Sequence, residues 1–190
     1  MIYVFLADGF EESEALVTVD ILRRAKYEVL TVGVGGEYIT GSHGITVKAD
    51  ATEPNVSPAD GLEAVILPGG MPGTLNLEAS DKVAEFISYA AENSRIIGAI
   101  CAAPSILGKR GLLKNRLATC YPGFEEYLGG AIVDKAPVCI SDNYITANGA
   151  GSVFGFALAV VDMVAWYDGR KQYGDCSLSQ EIEESMQCAR

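Results

Sequence analysis

The sequence holds a single histidine, His43, in 190 residues. Its five cysteines are scattered at positions 101, 120, 139, 176 and 188, with no C-x-x-C pair. One imidazole with these spacings makes no zinc site. The cysteine count is odd, and a chain of this length needs no disulfide staples, so the thiols read as reduced and the expected setting is cytoplasmic. Basic residues are scarce: 14 Lys and Arg stand against 25 Asp and Glu, a net charge of -11. That surface repels phosphate backbones and anionic lipid heads, which argues against nucleic acid and membrane as partners. No apolar run is long. The stretch 153–161 is interrupted by Asp162, short of the ~20 residues a bilayer requires. The opening MIYVFLADGF has no basic leader and reads as a first strand rather than a signal peptide. Nucleotide loops are missing too. GVGGEY puts Tyr38 where a third glycine would be needed and follows the second strand rather than the first, and no Walker A pattern occurs. No cofactor and no metal are expected.

What the chain does have is alternation. The apolar run 2–6 is followed by Ala15, Leu16, Val19, Leu22 and Ala25 at helical spacing, and then by a second strand over 28–34. Two short runs flanking Gly41 and Gly44 predict a hairpin. A buried strand, 63–70, ends in Pro-Gly-Gly. Ser80 predicts the cap of a helix reaching Glu92. A strand ending at Ile100 runs into a helix with Pro104 near its start. VCIS and YITAN form a second hairpin, and Gly151 and Ser152 open an apolar helix to Tyr167. Strands alternating with helices predict an α/β fold, a mostly parallel sheet with helices on both faces. The expected organisation is one domain over 1–190, with 170–190 a peripheral C-terminal helical tail capped by Ser177 or Ser179.

In such a sheet, sites form at the carboxyl ends of strands. ADGFEESE, LPGGMPG and ICAAP all fall there. Cys101 sits between a strand end and a helix start. The helix N-terminus would stabilise a thiolate and lower its pKa, and the sharp turn would push the side chain outward, as in a nucleophile elbow. The competing reading is a buried structural cysteine. Glu11 and Glu12 read as ordinary acids of a first helical turn. Glu14 differs, because the helical phase places it near the inward stripe with Val17 and Ile21. A carboxyl there, beside a thiolate, would have a raised pKa and could donate a hydrogen bond to sulfur. Gly69 and Gly70 form a tight turn, and the Gly70 and Ala102 N–H groups are candidate oxyanion donors. His43, between Ser42 and Gly44, reads as a surface histidine of a hairpin turn.

LADGFEESEALVTVDILRRA, VILPGGMPG followed by NL, and IGAICAAPSIL occur in an order and spacing that resembles the DJ-one (ThiJ/PfpI) superfamily, its compact bacterial branch most of all. NGAGSVFGFALAVVD resembles the late helix of the same family. The likeness covers about residues 1–169. It implies a flavodoxin-like three-layer sandwich, of the class I glutamine amidotransferase type, commonly a homodimer. By resemblance Cys101 is the reactive cysteine, Glu14 the carboxyl that lowers its pKa and bonds its oxidised form, and Gly70 and Ala102 the N–H donors. Arg24 matches an arginine near the site across the dimer interface.

The chain departs from the family at two places. Ala102 stands where triad-bearing members carry histidine. Tyr121 stands where the nearest branch has a site histidine, while His43 falls where relatives often have arginine. Without a histidine base, peptide hydrolysis lacks its usual leaving-group acid, which argues against a protease or amidase. The expected function is cofactor-independent chemistry on reactive dicarbonyls, glyoxalase-like or deglycase-like, at low activity and in a stress response. The alternative is an oxidative-stress sensor or chaperone without turnover. The expected partners are a small reactive carbonyl or peroxide and a second copy of the chain. Nothing in the residues supports a role in thiamine thiazole biosynthesis.

Overall fold

A computed structural model describes residues 1–170 and 176–186. Cys188, and the parts of the expected tail at 171–175 and 187–190, lie outside the described residues. The elements run β1 (Ile2–Ala7), α1 (Glu12–Arg24), β2 (Val29–Val34), β3 (Tyr38–Thr40), β4 (Thr46–Lys48), β5 (Ala51–Thr52), β6 (Ala64–Leu67), α2 (Gly73–Ala79), α3 (Asp81–Glu92), β7 (Ile96–Ile100), α4 (Pro104–Lys109), β8 (Leu117–Ala118), β9 (Ile132–Val133), β10 (Val138–Ser141), β11 (Tyr144–Ala147), α5 (Val153–Tyr167) and α6 (Ser177–Ser185).

The main sheet has the order β10-β11-β7-β6-β1-β2-β5. Every neighbouring pair is parallel except β10 with β11. The central strands are buried on both faces, which explains their unbroken apolar runs. Alternation along β1 divides the core into two layers. Ile2, Val4 and Leu6 pack with Ala15, Ile21 and Leu22 of α1 and Phe156, Val160 and Val164 of α5. Tyr3, Phe5 and Ala7 face the other way, onto Val83, Phe86 and Ile87 of α3 and Ile106 and Leu107 of α4. This is the expected three-layer α/β sandwich. Both hairpins, β3–β4 and β10–β11, form as their turn residues predict. Ser80 caps α3, its hydroxyl accepting from the Val83 N–H at 3.2 Å.

Two elements differ from expectation. The motifs predict no element between the Pro-Gly-Gly turn and Ser80, yet a cis Met71–Pro72 peptide leads directly into α2 there. Gly73 allows this short helix to close on β1. A methyl there would lie 2.5 Å from the Phe10 nitrogen and 2.6 Å from the Gly9 carbonyl carbon. At α6, neither Ser177 nor Ser179 is the cap residue; that position is Cys176. The Asp162 carboxylate on α5 supplies the acceptor instead. It takes the Ser179 N–H at 3.3 Å and the Ser179 hydroxyl at 2.7 Å. Ile182 is buried against α5, so α6 is held by an apolar anchor as well as by this carboxylate.

Candidate active site

Cys101 follows β7 directly and adopts φ +64°, a left-handed backbone that non-glycine residues rarely occupy. Its N–H donates to the Ala147 carbonyl at 2.9 Å, and its carbonyl accepts the Tyr121 N–H at 2.8 Å. The turn brings Sγ close enough to the Gly70 and Ala102 N–H groups for both to favour the thiolate. Cys101 thus sits on a left-handed turn between strand and helix, the geometry an elbow requires, with the Gly70 and Ala102 N–H groups beside the sulfur.

Glu14 comes to the same point from α1. It is 1% exposed. Its Oε2 accepts the Gly69 N–H at 2.8 Å. Oε1 makes no conventional hydrogen bond, and the carboxyl's remaining polar neighbour is the Cys101 thiol. Burial raises the Glu14 pKa to about 7, opposed by the bonds from Gly69 and Cys101. For the thiol, burial comes first and the Glu14 charge second, and together they push it up to about 12. The Ala102 and Gly70 N–H groups pull it down, but by less.

The expected lowering of the thiol by a helix terminus is therefore not what the resting site shows. The helix α4 starts three residues later, at Pro104, which has no N–H to offer, and the nearest charge is the anionic carboxyl. The two groups are best treated as one unit that shares protons, with a first loss near neutrality. When Glu14 carries the proton, it becomes a donor to sulfur rather than a repelling charge.

The side chains of the remaining predicted residues have partners other than the sulfur. Arg24 pairs with Asp20 on the exposed side of α1, at 2.7 Å. The Tyr121 side chain is half exposed, edge-on to Phe124 and 3.5 Å from the position of a Gly149 methyl. Its backbone, not its phenol, reaches Cys101. His43 is exposed and bonds Glu12, with Nδ1 3.0 Å from Oε2. Glu12 also accepts the His43 and Ile45 N–H groups, at 2.8 and 3.2 Å. These bonds outweigh the opposing effect of burial and hold the Glu12 carboxyl near about 2. Glu12 is thus a buried clasp for the β3–β4 turn rather than the ordinary first-turn acid the sequence suggests. Glu11, Glu12 and His43 bring ligand atoms within 4.8 Å of one another. The bonds from His43 to Glu12, the 3.6 Å approach of His43 to Glu11, and the Ser42 hydroxyl shared by the two carboxylates already account for that closeness.

Gly69 is the residue whose importance sequence reasoning understated. It is more than a turn, because its N–H orients Glu14. A methyl at this position would lie 2.5 Å from the Cys101 Cβ and 2.8 Å from Glu14 Oε2. Two successive glycines at a strand end are the signal in the sequence. A cavity of about 390 Å³ between α5, α6 and β10, walled by Leu158, Met163 and Trp166, contains none of these groups.

The profile described as the DJ-1/PfpI family matches residues 1–163. The chain belongs to the DJ-1/PfpI family. Protein dj-1beta of Drosophila melanogaster is 33% identical over 165 residues, covering 85% of this chain and 88% of the relative. The glutathione-independent glyoxalase DJR-1.2 of Caenorhabditis elegans is 32% identical over 154 residues, covering 80% and 81%. The solved structure of a cysteine-to-alanine variant of the DJ-1 superfamily protein STM1931 from Salmonella typhimurium superposes with a TM-score of 0.87 at 33% identity. That match covers 100% of this chain and 98% of the other. The family and its fold, expected from the motifs, are those of this chain.

Proposed function

We propose that this protein converts small reactive dicarbonyls through Cys101, without a cofactor, as a low-activity glyoxalase or deglycase acting as a cytoplasmic homodimer. The observation that carries the reading is the convergence on one sulfur of a buried carboxyl with a pKa near about 7 and two backbone N–H donors. A relative named as a glutathione-independent glyoxalase supports the same class.

With methylglyoxal, the Cys101 sulfur adds to the aldehyde carbon, and the thiol proton passes by way of Glu14 to the resulting alkoxide. The product is a hemithioacetal, its forming oxyanion facing the Gly70 and Ala102 N–H groups. Glu14 then removes the hydrogen on the former aldehyde carbon and returns it to the neighbouring carbon through an enediol. The first carbon is oxidised to a thioester as the second is reduced to an alcohol. Water cleaves the thioester, releasing lactate and restoring the thiol. A carboxyl titrating near neutrality suits both proton transfers. Tyr121 stands where relatives carry histidine and is a poor base at neutral pH, since a phenol has a pKa near ~10. A low rate is the consequence.

Lactate formation from methylglyoxal by the wild type and by Cys101→Ser tests the reading. The variant is expected to fall to the enzyme-free background, and equal rates would remove Cys101 as nucleophile.

The protonated form of Glu14 also favours a second role, as a sensor. A carboxylic acid donating to sulfur, with two N–H groups beside it, stabilises a sulfinate formed by two equivalents of peroxide. Mild peroxide followed by peptide mass spectrometry is expected to add two oxygens to Cys101 first. Earlier oxidation of Cys120 or Cys139, both buried, would rule this role out.

A further inference from the structure

Cys101 can stay at φ +64° only if its surroundings over-determine it. Two backbone bonds do so. The first, Cys101 N–H to the Ala147 carbonyl, extends the β7–β11 ladder in which Ile100 faces Ala147. The second, Tyr121 N–H to the Cys101 carbonyl, comes from a segment outside the main sheet, because β8 pairs with β9 alone. That segment needs its own attachment if it is to hold anything. Thr146 provides one. Its hydroxyl oxygen, on β11, accepts the Thr119 N–H at 3.0 Å. Thr146 is 1% exposed and Thr119 2%. Valine would serve a buried strand position equally well by shape. A hydroxyl there stands out because it takes a backbone N–H that would otherwise be buried without a partner.

We propose that Thr146 is a positioning residue for Cys101. Its hydroxyl fixes residues 119–121 against β11, Tyr121 thereby pins the Cys101 carbonyl, and the sulfur is kept in front of the Gly70 and Ala102 N–H groups. Thr146 acts only through this relay. The inference rests on the reading of Cys101 as a reactive thiol.

The test is the rate of Cys101 alkylation by iodoacetamide, followed at the Cys101 peptide by mass spectrometry from mildly acidic to alkaline pH. Thr146→Ser keeps the acceptor and is expected to reproduce the wild-type profile. Thr146→Val keeps the shape and removes the acceptor. It is expected to shift the profile to higher pH, slowing neutral alkylation about tenfold, as one pKa unit implies. A valine profile that overlays the wild type would overturn the proposal, as would a serine variant shifted as far as the valine one.

Hydrogen exchange on the unaltered protein gives a second measurement that no folding defect can obscure. The Thr119 and Tyr121 amides are expected to be protected like those of β11. Exchange as fast as that of exposed loop amides would also overturn the proposal. A wild-type Cys101 that resists alkylation would instead sink the reading of the site, while exchange would still test the tether.

Discussion

Glu14→Gln is expected to lower Cys101-dependent lactate formation by about 10²–10⁴-fold, the range a positioned acid–base group contributes. Glutamine keeps the size of the side chain. Its carbonyl can still accept the Gly69 N–H, now met by Glu14 Oε2 at 2.8 Å. What it loses is the ability to take up and return a proton. With Glu14 near about 7, both of its forms are populated at neutral pH, as the transfer between adjacent carbons requires.

The same change has a sign in stability. Burial raises Glu14 from an ordinary 4.5 to about 7, so the native state holds its proton more tightly than the unfolded chain does. Its contribution is fully present below pH 4.5 and is lost as pH rises through about 7. Glutamine has no such dependence. The melting temperature of Glu14→Gln, relative to wild type, is expected to climb between pH 4.5 and about 7 and then level off. Parallel melting curves, with no fall in lactate, would show that Glu14 neither carries the proton nor titrates at the site.

The features legible in the sequence were those with a local signature. The parallel sheet follows from unbroken apolar strands alternating with helical spacing. The Glu14 position follows from helical phase, since the face of α1 that buries Ala15 and Ile21 buries Glu14 as well. Cys101 was marked by its place between a strand end and a proline-led helix.

What stayed hidden depends on partners distant in sequence. The Asp162 cap of α6 is made by a different helix. The Glu12 clasp on the β3–β4 turn joins residues 31 apart, and nothing around Glu12 distinguishes it from Glu11. The direction of the thiol shift was missed for the same reason. A helix-terminus argument sees the residues that follow Cys101, whereas the larger influences, burial and the Glu14 charge, come from elements packed over it. Arg24 illustrates a further limit. The family likeness assigns it to a site shared between two copies, and among the described residues of one chain its ion-pair partner is Asp20.

Gly69→Ala is expected to damage fold and site together. The added methyl would lie 2.5 Å from the Cys101 Cβ, 2.8 Å from Glu14 Oε2 and 3.0 Å from the Ile100 carbonyl oxygen. None of these can yield easily. The Cys101 backbone is pinned at both its N–H and its carbonyl, Glu14 is enclosed by the core, and Ile100 is the last residue of a central strand. Overpacking of this kind costs about 1–3 kcal/mol or more. In a domain of this size that lowers the melting temperature by roughly 2–4 °C per kcal/mol. The methyl must also drive Cys101 and Glu14 apart, so the first deprotonation step near neutrality is expected to disappear from the Cys101 alkylation profile. Gly151→Ala is the matched control. Its methyl meets nothing within 4 Å and its backbone is not left-handed, so a change within about 0.5 kcal/mol is expected. If Gly69→Ala melted with that control and kept the neutral step, the close contact between the Gly-Gly turn, the thiol and the carboxyl could not be what holds the pair together.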